Sequence, residues 1–95
     1  MFARVSDVTG SPDKMDLGIA QFKEQVLPAI QGMDGFSRAY LLVDRAAGRA
    51  LSISVWDTAE AMAVTDAATA AMRDAISQTV SGQVAVGSFE IVVEG

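Results

Sequence analysis

The sequence predicts one α+β domain over residues 1–95, in the order strand, helix, strand, strand, helix, strand. Three observations carry this. Apolar residues recur at helical spacing from Met15 to Ile30; two β-rich runs are separated by only a short turn at 45–48; and an Ala-rich stretch opens on a capping pattern at Asp57 and leads into a C-terminal run of Val and Ile. The chain is 51% hydrophobic, well above what a disordered chain carries. A domain this small covers only roughly 60–65% of its unfolded surface, so self-association is a ready way to bury apolar surface left over.

Phe2–Thr9 reads as the first strand, and Gly10-Ser11-Pro12-Asp13 breaks it. Ser11 is a good N-cap, Pro12 stands at the first helical position where its missing N–H costs nothing, and Asp13 and Asp16 suit the positive end of a helix. Met15, Ile19, Phe22, Val26 and Ile30 then form one helical stripe. Pro28 removes a hydrogen bond and crowds the preceding turn, so the helix is expected to end or kink near Leu27. Phe36–Asp44 and Arg49–Trp56 are the second and third strands, joined as a hairpin through Arg45-Ala46-Ala47-Gly48. In the third strand Leu51, Ile53 and Val55 point one way, and Ser52, Ser54 and Trp56 the other. Asp57-Thr58-Ala59-Glu60 has capping-box spacing with an acidic N-cap. It launches a long helix through about Thr79 whose large apolar residues are Met62, Val64, Met72 and Ile76. Ser81-Gly82 closes it, and Val84–Glu94 is a long fourth strand.

Right-handed crossovers turn this βαββαβ order into a ferredoxin-like, four-stranded antiparallel sheet with both helices on one face. An open sheet should show one polar face. Here Phe2, Phe36, Tyr40, Leu42, Trp56, Phe89, Ile91 and Val93 spread over both parities, so parity does not decide which face meets the helices. The expected cover for the second face is another copy of the chain.

Composition excludes several chemistries. A net charge of −5 with scattered basic residues (Arg4, Lys14, Lys23, Arg38, Arg45, Arg49, Arg73) argues against nucleic acid and against an anionic membrane surface. With no Cys there is no disulfide, thiol nucleophile or thiolate metal site; with no His the commonest general base and transition-metal ligand are missing. No acidic cluster suggests a bound magnesium ion. No apolar run approaches the roughly 18 residues of a membrane span, and Met1–Gly10 has no signal-peptide core, so the cytoplasm is the expected location.

Met33-Asp34-Gly35-Phe36 opening the second strand, Leu51-Ser52-Ile53-Ser54-Val55-Trp56-Asp57 closing the third, and Glu60-Ala61 starting the second helix carry a resemblance. Together with the element order, they make the chain resemble the antibiotic biosynthesis monooxygenase family of the dimeric α/β barrel superfamily, over nearly its whole length. The resemblance implies a homodimer packed sheet to sheet through the open faces, with a small cavity between each sheet and its own helices. It implies oxygenation of an aromatic, polyketide-like small molecule without metal or flavin, the substrate anion supplying the electrons. Haem-degrading relatives use an Asn on the first strand and a His on the second helix; neither residue type occurs in this chain, so that activity is set aside.

The candidate catalytic residues are Trp56, Tyr40 and Arg38. Trp56 matches a family position; it can stack on a flat ligand and donate an indole N–H, or serve as a strand-end core residue. Tyr40 can exchange a proton with a phenolic substrate, though its ordinary pKa near 10 makes it a poor base at neutral pH. Arg38 can stabilise an enolate or phenolate, as can Arg4 from the first strand, or each can pair with a carboxylate. Trp56, Phe22, Met62 and Met72 are the candidate substrate-binding residues; Met at helical spacing is equally a core residue. No cofactor or metal is expected. The alternative to an oxygenase is a non-catalytic ligand-binding or structural homodimer of the same fold.

Overall fold

A computed structural model describes residues Met1–Gly95. Strands β1 (Phe2–Thr9), β2 (Phe36–Asp44), β3 (Arg49–Trp56) and β4 (Gln83–Glu90) form one sheet in the order β2-β3-β1-β4, with every neighbouring pair antiparallel. This is the ferredoxin-like arrangement expected from the element order. No helix is long and apolar enough to cross a membrane.

The first helical layer runs through a 3₁₀ turn (Pro12–Lys14), α1 (Met15–Gln21), a π-helical stretch (Phe22–Val26) and α2 (Leu27–Gln31). Ser11 is the N-cap residue of the turn, but its side chain makes no capping hydrogen bond. Pro28 does not end the helix. The preceding turns widen instead, and the π-helical stretch relieves the demand for the amide hydrogen that Pro28 lacks. The second layer is not one helix but two, α3 (Ala59–Val64) and α4 (Asp66–Thr79), interrupted at Thr65. Thr58, not Asp57, caps α3: its side chain accepts from the Ala61 N–H at 3.0 Å. Val64, expected on the apolar stripe, is 84% exposed, because the break at Thr65 resets the helix phase.

Strand β4 stops at Glu90, short of the expected Glu94. Its only strand partner is β1, which begins at Phe2 opposite Glu90, and one further bond, from the Ile91 N–H to the Met1 carbonyl at 2.9 Å, is all that the chain end offers beyond it. In the β2–β3 hairpin Gly48 sits at φ +66°, and the Asp44 carboxylate accepts from the Ala47 N–H at 3.2 Å.

The register settles which face is covered. Phe2, Arg4, Ser6 and Val8 of β1 stand beside Trp56, Ser54, Ser52 and Ala50 of β3, and these rows face the helices. A β-bulge between Phe36 and Arg38 reverses the parity of β2. Phe36 therefore joins Ala39, Leu41 and Val43 on the helix side, with its ring edge-on to Trp56 at 5.7 Å. Arg38, Tyr40 and Leu42 turn to the open face, beside Val55, Ile53 and Leu51.

Candidate functional site

The covered space holds two small apolar clusters rather than one. At one end of the sheet Val8, Met15 and Val80 pack with Val43, Ala50, Ile76 and Val84. At the other end Ile30, Trp56 and Met62 pack with Phe2, Phe36 and Met72. Between these ends lie the sheet rows Leu41–Ser52–Ser6–Val86 and Ala39–Ser54–Arg4–Ser88. Serines cannot fill the gap that Leu or Ile would fill in those places. A cavity of about 70 Å³ remains there, ample for ordered water. Phe22, Ile19 and Met72 wall its helix side, and it adjoins an open cleft between α1, the π-helical stretch and β2.

Arg4 is the chief charged group of this space. It is only 3% exposed. Its guanidinium donates to Thr65 Oγ1 at 3.1 Å, to the Met62 carbonyl at 2.7 Å and to Asp66 Oδ1 at 3.0 Å. These partners sit at the α3–α4 break, where the Met62 carbonyl also accepts from the Thr65 N–H at 3.2 Å. Thr65 and Thr69 add their own bonds there: Thr65 Oγ1 donates to the Met62 carbonyl, and Thr69 Oγ1 to the Thr65 carbonyl. Arg4 Nε, by contrast, is buried with no hydrogen-bond partner, which costs about 1–3 kcal/mol for a buried donor. Burial pulls the Arg4 guanidinium below its ordinary pKa; Asp66 opposes this, and the positive charge of Arg73 adds to it. Arg73 lines the same cavity from α4. It lies on the stripe Thr69, Met72, Arg73, Ile76, Val80, whose members all face the space.

The residues singled out from sequence are scattered by the fold. Trp56 is fully buried in the core cluster at one end, and its indole N–H is used by Ser54 Oγ at 3.0 Å. Met62 packs beside it. Phe22 and Met72 line the cavity. Tyr40 and Arg38 lie on the other side of the sheet, Tyr40 half exposed and Arg38 paired with Glu94 at 2.9 Å. The cavity thus brings together Phe22 and Met72 but neither Tyr40 nor Arg38. Ser6, Ser52, Ser54 and Arg73 went unrecognised in the sequence. For the serines the available signal was their alternation in β1 and β3; for Arg73 it was its place one helical turn after Thr69. No group of three or more acidic, His or Cys side chains is placed to hold a metal ion.

No family model matches the chain. Two uncharacterised proteins of Mycobacterium tuberculosis, Rv2557 and Rv2558, are 38% and 34% identical to it over 91 and 93 residues. The alignments cover 96% and 98% of this chain but 41% and 39% of those proteins, so the chain spans about two fifths of the relatives it matches. Solved structures define its fold. The monooxygenase ActVA-Orf6 of Streptomyces coelicolor, bound to nanaomycin D, superposes with a TM-score of 0.76 at 16% identity, covering 99% of this chain and 92% of that one. SnoaB, a cofactor-independent oxygenase of Streptomyces nogalater, gives 0.67 at 18% identity, covering 98% and 94%. MhuD, a haem degrader of M. tuberculosis with two haems bound, gives 0.77 at 17%, covering 100% and 99%. The chain has the antibiotic biosynthesis monooxygenase fold.

Proposed function

We propose that the chain is a cofactor-independent oxygenase of a small aromatic molecule, acting in the cavity between the sheet and its own helices. The observation that carries this is the cavity itself: the middle of the covered face is built from Arg4, Ser6, Ser52 and Ser54 where a domain of this size needs apolar packing. The fold shared with SnoaB and ActVA-Orf6 supports the reaction class by analogy. In such a reaction dioxygen is the oxidant. One oxygen atom enters the substrate as a carbonyl, the other leaves as water, and the substrate supplies the electrons. The protein's part is to exclude water, hold the ring against Phe22 and Met72, and stabilise the substrate anion electrostatically through Arg4.

Oxygen uptake by the purified protein with hydroquinones and anthrones tests this, beside a protein-free blank and Ser52→Leu, which fills the cavity. Uptake above the blank that Ser52→Leu abolishes is the expected result. Uptake equal to the blank for every compound overturns the oxygenase reading. A second reading, a ligand-binding protein without chemistry, is favoured by one feature: the only titratable side chains lining the cavity are Arg4 and Arg73, neither of them a general base.

The same reading includes a homodimer. Tyr40 and Leu42 are each 50% exposed and Phe89 58%, on an open face shared with Val5, Leu51 and Ile53. An apolar sheet face of this kind supports cover by a second copy. Light scattering at micromolar concentration should give about 20 kDa, twice the 9.9 kDa of the chain; 9.9 kDa would sink the dimer.

A further inference from the structure

The chain carries a net charge of −5, yet the cavity and the cleft beside it are lined by cations. Arg4 and Arg73 line the cavity, Lys23 and Arg45 line the cleft, and no Asp or Glu lines either. That is four of the seven basic residues of the chain, shared between two adjoining spaces. Asp16 answers Arg45 from outside, and Asp66 answers Arg4 from a position that is 70% exposed. Arg73 has no carboxylate partner. Arg4 Nε is the only buried side-chain polar atom of the protein left without a partner. Two guanidiniums sharing one largely apolar cavity repel each other, and water is a weaker answer to them than an anion would be.

We propose that the cavity recognises its ligand by a negative charge the molecule already carries at neutral pH. The ligand is an organic monoanion, a ring-bearing carboxylate or an acidic enol or phenol in its ionised form. Its charged oxygen sits between Arg4 and Arg73, and its apolar body lies along Ile19, Phe22 and Met72. The inference rests on the cavity being the ligand site, as the proposed function holds, and adds the charge requirement. Its physical root is the absence of a base among the lining residues: serine hydroxyls do not take a proton at neutral pH, so the site selects an anion rather than making one. Lys23 at the opening adds a favourable field for the approaching anion.

Calorimetric titration of the full chain with benzoate and with benzyl alcohol, two molecules of one ring and similar size, tests this. Benzoate is expected to bind roughly ten- to hundredfold more tightly, the range for one charge-assisted contact. Arg73→Gln is the variant of choice, because Arg73 makes no side-chain hydrogen bond or ion pair within the fold, whereas Arg4 makes three. The variant should cut the preference for benzoate severalfold, leaving the part that Arg4 supplies, and keep the wild-type melting curve. Arg73→Lys should restore part of the preference. Equal binding of the two compounds by the wild type, a preference undiminished in Arg73→Gln, or no binding of either overturns the proposal. Oxygen uptake separates it from the reading it rests on. Benzoate preference without uptake from any hydroquinone sinks the oxygenase and leaves the charge recognition standing; uptake without benzoate preference does the reverse.

Discussion

The two faces of the sheet invert the usual rule. The face covered by helices carries Arg4, Ser6, Ser52 and Ser54 in its middle rows, and the open face carries Val5, Leu51, Ile53, Tyr40, Leu42 and Phe89. An isolated domain would place these sets the other way round. The difference teaches that the covered face is not built for maximal packing. Its stability comes from two small clusters at its ends, and its middle is kept open and charged. The open face holds the apolar surface that a single copy cannot bury.

The largest effect should come from breaking an end cluster. Trp56→Ala empties a fully buried site and should cost about 3–5 kcal/mol in urea unfolding, whereas Tyr40→Ala on the open face should leave the unfolding of a single copy nearly unchanged. Equal losses would mean that the two faces do not divide the work as described. Next comes Ile53→Asp, which puts a charge at the centre of the open face. It should convert a particle of about 20 kDa into one of 9.9 kDa by light scattering, with the helix-side cavity unaffected. Thr58→Ala removes the capping acceptor of α3 and should cost about 1 kcal/mol, read from the urea midpoint.

A smaller change sharpens the contrast most. Arg4→Met replaces a buried cation, including its unpartnered Nε, with an apolar chain of similar length. Asp66 is exposed enough to return to water, and Thr65 still donates to the Met62 carbonyl. Stability should therefore stay within about 1 kcal/mol of wild type while anion binding is lost. A large loss of stability would make Arg4 a structural residue first.

The smallest effect belongs to the open-face pair Asp7–Arg49, joined at 2.8 and 3.1 Å. The Arg49 guanidinium, hydrogen-bonded to Asp7, holds its carboxyl below the ordinary value. Its folded pKa is thus the lower one, so the pair's contribution is present above the ordinary Asp value and lost as pH falls through the folded value. Asp7→Asn should slightly flatten the fall in melting temperature between about pH 5 and pH 2, and added salt should shrink the difference.

Much of this fold was legible in the residues. The stripe Met15, Ile19, Phe22, Val26, Ile30 lines the cavity as helical spacing requires. The bounds of β1, β2 and β3 follow from their β-rich runs and the turn residues between them. The site was far less legible. Tyr40 and Arg38 have suitable chemistry, but they share a face with Leu42 rather than with Phe22, because the bulge after Phe36 reverses the parity of β2. Local periodicity cannot show a bulge, since the extra residue is defined only by the partner strand. Trp56 has a side chain suited to stacking on a flat ligand, yet its N–H is spent on Ser54, which stands two residues before it.

The sequence alone determined the order of the elements, the lack of His and Cys chemistry, and an excess of apolar strand residues over what one face can use. These follow from residue type and local period, which act within a few residues of chain. Tertiary structure alone decided which face the helices cover, where β4 ends, and that Arg4 of the first strand, the serines of the first and third strands and Arg73 of the last helix share one cavity. Those outcomes depend on register and on contacts between residues about 50–70 positions apart, and the energy that selects them exists only once the sheet and helices have packed.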